Sequence, residues 1–368
     1  MLKNVDKKLL FLAGLLIFLP IFTILLLATL QSCSNSGNSY EKYEKLMHKS
    51  AERYLKKNKL IPKNSSEVFV VKLNTLVTKE YIKSPEDELG DASCTGSVKV
   101  RRNGLIESKE TEGYLNYTVN LNCKNYKTKT LKDILLSQEI QNKSGLYLVD
   151  NQYIFKGDRP KNYINFYGKD YRIMGITEKG YIKLIRSEAE PISRSWDNKY
   201  NIDAQKAYGK NIYGDSLILR YLIEDYSNPK KINKQAKQHI VSNDVCIGKR
   251  SVNDINIDKA ADCSEILSNQ VVSMLTMSDY ALASNDPDCL NLKSRSCSNY
   301  NYLYNVASST WTSNVVTDNS YDVFYVGDGI INSISANKYN SYNIVIYIDG
   351  DETITNGSGS LDDPYVIK

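Results

Sequence analysis

Apolar residues fall along this chain in three rhythms, and each predicts a different kind of element. Leu9 to Leu30 carries no charged side chain at all. At a rise of 1.5 Å per residue that run covers roughly 33 Å, enough to cross the hydrocarbon core of a bilayer as a helix. Gly14 and Pro20 interrupt it, which membrane helices tolerate. From Tyr40 to Asn58 the period becomes helical. Tyr43, Met47, Ala51 and Tyr54, with Leu46 and Leu55, line one face, while Lys42, Lys45, Lys49 and Lys56 fall largely off it. Ser39 is the expected N-cap, Glu41 lies in the first turn, and Pro62 stops the pattern. The lysines read as a solvated face near anionic lipid.

Strict alternation follows. Leu115, Tyr117, Val119 and Leu121 alternate with Asn116, Thr118, Asn120 and Asn122, and Val98 and Val100 share a second strand. Cys123 is in phase with the first apolar set and Cys94 with the second, so both point to the core face. With Cys94 opposite Cys123, Val98 meets Val119 and Val100 meets Tyr117. That register is self-consistent and predicts a Cys94–Cys123 disulfide. Such a staple suits residues 40–128, because so small a domain is marginal on burial alone. Residues 129–148 are polar and lysine-rich with one apolar run, Leu131 to Leu136, and are expected to be a connector. No repeat of fixed period is visible.

Residues 149–368 make the larger domain. Tyr163 to Phe166, Tyr171 to Ile176 and Tyr181 to Ile185 predict an antiparallel meander, with turn residues at Gly168 and at Glu178-Lys179-Gly180. Helical patterns follow at Asp215 to Asp225 and around Ile232 to Ile240. Val271 to Leu275 reads as a strand and Ser278 to Ala283 as one or two helical turns. Tyr321 to Val326, Ile330 to Ile334 and Ile344 to Ile348 return to strand, with Gly327-Asp328-Gly329 as a hairpin turn. The fold class is therefore α+β. Without regular βαβ alternation, a doubly wound nucleotide fold is not expected.

The flanks of the first segment set a topology. Lys3, Lys7 and Lys8 precede Leu9–Leu30 and no charge follows before Glu41, so the N-terminus is expected inside and the bulk of the chain outside the cell membrane. Residues 1–32 form a membrane anchor or signal segment and 33–39 a short polar linker. Leu30-Gln31-Ser32-Cys33 resembles a bacterial lipobox, with Cys33 as the residue that would be lipidated. The apolar run exceeds a signal core, which favours an uncleaved anchor. A pilin-like leader would need a basic-Gly site followed by Phe and a fifth-position Glu, which are absent. Setting Cys33 aside leaves Cys94, Cys123, Cys246, Cys263, Cys289 and Cys297, an even set that suits an oxidising compartment.

Composition narrows the functions. A net charge of +5 over 368 residues gives no basis for a nucleic-acid surface. Only His48 and His239 occur, which removes histidine-rich metal sites and most histidine triads. Tyrosine is abundant at 28 against 7 Phe, so the chain can present many rings with a polar tip.

Pro160-Lys161-Asn162-Tyr163-Ile164-Asn165-Phe166 leads into Tyr171-Arg172-Ile173-Met174-Gly175-Ile176, then Ile182-Lys183-Leu184-Ile185-Arg186-Ser187 and Trp196-Asp197. Leu219-Arg220-Tyr221-Leu222, Ala236 to Ile240, Val272 to Thr276 with Tyr280-Ala281, and the end from Ile344 through Asp362-Asp363-Pro364-Tyr365-Val366-Ile367 continue the series. In this order, over about residues 155–368, they resemble an uncharacterised extracytoplasmic module of Gram-positive surface proteins. Tyr171 stands where that module usually has Trp. The module is distantly similar to the C-type-lectin-like fold, which formylglycine-generating sulfatase modifiers share. The resemblance implies a compact α+β domain with a twisted antiparallel sheet, two helices and long loops, and no particular function. The modifiers' close pair of active cysteines has no counterpart here. Cys289 with Cys297 and Cys246 with Cys263 read as loop disulfides, and the other two connectivities of these four cysteines stay open.

Asp349-Gly350-Asp351-Glu352 starts like a calcium loop, but Ile354 and Ser360 stand where an EF-hand needs Gly and Glu, so a turn is expected. His239 has no nucleophile or acid at a recognisable spacing and reads as a semi-buried or surface histidine, and His48, among the lysines of the first helix, reads as an ordinary helix residue. Trp196 and Trp311 could stack on a sugar, although tryptophan more often fills a core. Tyr300, Tyr302 and Tyr304 would share one face if extended, and such rings suit a glycan or a peptide. The resulting expectation is a membrane-anchored extracytoplasmic binding or adhesion protein of a bacterial envelope, with no cofactor, no metal and no enzymatic activity. It would be held in the lipid bilayer through Leu9–Leu30, and its ligand would be a glycan or protein. A structural subunit of a pilus-like or wall-associated assembly is the alternative.

Overall fold

The computed structural model describes residues 39–65, 67–103 and 113–367. Leu9–Leu30 and Cys33 lie outside the described residues. Among those described, no helix is long and apolar enough to cross a membrane. The chain divides into two compact units.

The smaller unit contains described residues up to Ile61, Val70–Lys99 and Val119–Thr128. Helix α1 spans 39–57, so Ser39 is already helical and does not cap it. Tyr43, Met47, Ala51 and Leu55 are buried as expected, but Leu46 is 41% exposed because it lies about 100° of helical rotation from Met47. Tyr43 Oη donates to the Lys83 carbonyl (2.7 Å) and Ser50 Oγ to that of Tyr81 (2.9 Å), which straps α1 to the segment behind α2 (Leu73–Thr78). That segment runs into α3 (Pro85–Leu89), where Ser84 Oγ caps the helix by accepting from Asp87 N (3.1 Å). Strands β1 (Val68–Lys72), β2 (Thr95–Asn103) and β3 (Tyr114–Asn122) form a sheet in that order. Val98, Val100 and Leu121 are buried, and Cys94 and Cys123 are joined just outside the hairpin strands.

The larger unit takes Pro62–Phe69, Val100–Thr118 and the chain from Lys129 onward. Residues 129–148 are part of its body and not a connector. Helix α4 (Leu131–Leu136) buries Leu131 and Leu135 in the main core, and its first N–H groups donate to the carbonyls of Glu352 (2.7 Å) and Gly350 (3.0 Å). The apolar run Leu131 to Leu136 is visible in the sequence, but it is short, and its polar, lysine-rich surroundings gave no sign that it packs into the core. Strand β4 (Gly145–Val149) then opens the main sheet, followed by β5 (Gln152–Lys156), β6 (Tyr163–Phe166), β7 (Lys169–Ile176) and β8 (Ile182–Arg186). The expected meander is present: β6 and β8 both pair antiparallel with β7.

Next come β9 (Arg194–Ser195), α5 (Leu217–Ser227), α6 (Lys234–His239), β10 (Asn243–Cys246), β11 (Lys249–Arg250), α7 (Lys259–Asp262), β12 (Ile266–Gln270) and α8 (Met277–Leu282). Val271–Leu275 is not a strand. It is buried, and it meets the main sheet at one bridge, Ser273 to Val345. The chain ends with β13 (Ser309–Val316), β14 (Asp322–Gly327), β15 (Ile330–Ser335), β16 (Tyr339–Asn340), β17 (Val345–Ile348) and β18 (Tyr365–Ile367).

The main sheet runs β17-β8-β7-β5-β4, with β6 beside β7 and β18 beside β6. A second sheet runs β11-β13-β14-β15. Both feed one core that includes Phe155, Ile173, Leu184, Trp196, Leu222, Trp311 and Val323. Gly327-Asp328-Gly329 is the hairpin turn expected, with Asp328 and Gly329 both at positive φ (49° and 77°), which matches the right-handed twist of the strands. The cysteines pair as Cys94–Cys123, Cys246–Cys263 and Cys289–Cys297.

Without reductant, these six cysteines are expected to resist alkylation in the intact protein, read by intact mass. Replacing Cys94 and Cys123 together by Ser, which opens a loop of 29 residues, should destabilise the smaller unit by about 3 kcal/mol in denaturant melts. An unchanged midpoint would show that the hairpin does not need its staple.

Candidate functional site

A lysine in the middle of a sheet needs a reason, and Lys183 has one. It sits on β8 between Tyr347 of β17 and Gly175 of β7. Gly175 allows β5 to close on β7 there, since a Cβ at 175 would stand 2.0 Å from the Tyr153 carbonyl oxygen. Lys183 Nζ donates to Asp279 Oδ2 at 2.5 Å. Asp279 is placed by a capping box at the start of α8: its N–H donates to Thr276 Oγ1 (3.1 Å) and its Oδ2 accepts from Thr276 N (2.8 Å). Lys259, the first residue of α7, brings a second ammonium to 3.8 Å from Asp279 Oδ1 and donates to Gln152 Oε1 at 2.9 Å. One buried carboxylate therefore serves two lysines.

Above this cluster opens a cleft of about 250 Å³. Lys179, Asp244, Val245, Ile266 and the Cys246–Cys263 disulfide form its walls. A recess of about 20 Å³ continues from its floor to Tyr302. Two of the wall acids are already matched, while Glu178 also lines the cleft. Asp244 takes Lys179 (3.0 Å), and Asp262 takes Arg250 Nη1 (2.9 Å) and the Ser278 N–H (2.9 Å). The two threonines of the cleft hold local backbone, Thr177 accepting from Tyr181 N and Thr276 from Asp279 N.

Electrostatics follow from the geometry. Burial alone would push the Lys183 ammonium down, but the Asp279 carboxylate against it overcomes this and holds it above the usual lysine range. Burial would likewise raise Asp279, yet Lys183 and Lys259 together hold it down at about 2. For Lys259 burial wins: its ammonium is pushed below the usual lysine range, opposed by Asp279 and reinforced by the neighbouring Lys183. The floor of the cleft is thus a buried ion pair beside an incompletely compensated amine, an arrangement suited to hydrogen bonding with a polar ligand.

The aromatic candidates fall elsewhere. Trp196 and Trp311 are fully buried, with their indole N–H groups donating to Thr312 O (3.2 Å) and Arg194 O (2.8 Å). Neither offers a ring to solvent. Tyr300, Tyr302 and Tyr304 do not share a face, because the segment folds into successive turns, closed by Tyr304 N to Asn301 O and Val306 N to Leu303 O. Tyr300 is 61% exposed and Tyr304 40%, while Tyr302 is buried with its ring centroid 4.8 Å from the Arg172 guanidinium. Arg172 is itself buried between Tyr302 and Tyr163 and donates to Asn162 Oδ1 (2.7 Å from Nε). The motif arginine of the resemblance is therefore a stacking core residue.

His239 has partners that spacing could not reveal. Its Nε2 lies 2.5 Å from Tyr167 Oη and its Nδ1 2.9 Å from Glu352 Oε2. Glu352, in the turn that follows β17, also accepts from Asn116 Nδ2 (2.6 Å). This explains why Asn116 is buried although it sits on the polar parity of β3.

Sequence reasoning missed Lys183, Asp279, Lys259 and Gln152 as a group. The one local signal was Thr276-Met277-Ser278-Asp279, which has the spacing of a capping box. Compared with known proteins, the chain matches no family model, no curated protein and no solved structure.

Asp279→Asn should destabilise the fold by about 3–5 kcal/mol, because it strands a buried ammonium. The depressed carboxylate stabilises the native state above about pH 4, its ordinary range, and that contribution is lost as pH falls towards about 2. Denaturant melts at pH 7 and pH 2 should therefore differ less for Asp279→Asn than for the natural chain. Equal pH dependence in both would remove Asp279 as the source.

Proposed function

We propose that this chain is an extracytoplasmic binding protein of a bacterial envelope, held at the membrane by Leu9–Leu30 and recognising its ligand through the cleft over Lys183, Asp279 and Lys259. The cleft is the observation that carries the reading. It combines an ion-paired floor, walls that mix apolar and charged side chains, and a donor-rich lysine, as ligand sites generally do. Its carboxylate and threonines are engaged in structural bonds, which favours recognition over catalysis. Three disulfides on one chain suit an oxidising compartment outside the membrane. The scaffold we infer is C-type-lectin-like, a reading supported by the ordered motif residues and by the mixed α+β layout with long loops.

Two measurements test this. Protease added to intact spheroplasts should digest the body of the chain, whereas protection until lysis would contradict the topology. The full chain in detergent should bind a component of envelope extracts or a glycan array saturably. Replacing Lys259 by Gln should weaken that binding at least tenfold. Saturable binding that is indifferent to Lys259 would move the ligand away from this cleft.

A further inference from the structure

A second depression, of about 500 Å³, lies elsewhere on the larger unit, between β4, β5 and the loop after α8. Lys156 of β5 and Tyr147 of β4 line it, together with the exposed Lys143, the half-buried Asn285 and Asp286, and the Cys289 end of a disulfide. Lys156 is half-buried, and its Nζ stands 5.9 Å from the Tyr147 ring centroid. Among the described residues it makes no ion pair. Burial is also the single cause that moves its ammonium below the usual lysine range. The only acid of the lining, Asp286, is spoken for: it accepts from Asn299 Nδ2 (2.8 Å) and Asp288 N (2.8 Å). Asn285 donates to the Tyr147 hydroxyl at 3.0 Å, which fixes an amide beside the ring. A smaller depression of about 280 Å³ shares Lys143 and is bordered by the exposed ring of Tyr300.

A half-buried ammonium without a counter-charge is costly to the fold. Here it faces an open, polar depression that offers a second ammonium and an aromatic ring. We propose that this depression binds an anionic saccharide, with its carboxylate or phosphate on Lys156 and Lys143 and its pyranose against Tyr147. The shared chemistry is a sugar bearing one localised negative charge. The inference is independent of the cleft over Lys183, so either can fail alone.

Ligand-observed NMR titration of the full chain in detergent with glucose, glucuronate and glucose 6-phosphate tests it. At least one of the two anions should bind ten times or more tightly than glucose, and which one does identifies the acidic group. Lys156→Gln should abolish that preference and Lys156→Arg should retain most of it. Lys156→Met, without ligand, should raise Tm, because it removes an uncompensated charge. Equal binding of glucose and both anions, binding of none of the three, or a preference that survives Lys156→Gln would each overturn the proposal. So would a fall in Tm for Lys156→Met, which would mark the lysine as structural.

Discussion

The carboxylate of Asp279 is the constraint around which the larger unit is arranged. Two lysines come to it from different parts of the chain, Lys183 from the middle of the main sheet and Lys259 from the start of α7. A buried ammonium is tolerable only if paired. The pair in turn requires α8 to begin where it does, and the Thr276 capping box fixes that start. It also requires β17, β8 and β7 to lie side by side, since Lys183 is flanked by Tyr347 and Gly175.

A similar economy recurs elsewhere in the unit. Arg172, also in the main sheet, is held by two tyrosine rings and Asn162 in place of a carboxylate. Arg250, fully buried, is clamped by Asp254 and Asp262. His239 bridges Tyr167 and Glu352. Each places a polar group inside against specific side chains, some near in sequence, as Asp254 is to Arg250, and some far, as Glu352 is to His239. Such networks add little net stability over an apolar core, but they penalise alternative packings in which a partner is lost.

Much of the fold was legible along the chain, for a physical reason. The closely spaced apolar runs Tyr163–Phe166, Tyr171–Ile176 and Tyr181–Ile185, parted by turn residues, mark the strands of a meander, and the strands formed within two residues of those bounds. Strand parity alone brought Cys94 to Cys123. What escaped lacked such a local signature. The helix and strand within 129–148 are short and set among lysines, and β9 and β16 have two residues each. Tyr302 went inward because turns, not an extended run, carry the tyrosines. The cleft escaped because Gln152, Lys183, Lys259 and Asp279 come from four separate stretches, and no periodicity links them. Lys183 belongs to the resemblance motif Ile182-Lys183-Leu184-Ile185, but nothing local to it names Asp279 as its partner.

A double-mutant cycle on Lys183 and Asp279 tests the central claim most directly. Stability would be measured for Lys183→Met, Asp279→Asn and the two combined. If the ion pair organises the cleft, either single change is strongly destabilising and the combined change costs less than the sum of the two, by at least about 2 kcal/mol. Additive losses would mean that the two side chains stabilise the fold independently and that the shared carboxylate is not its organising interaction.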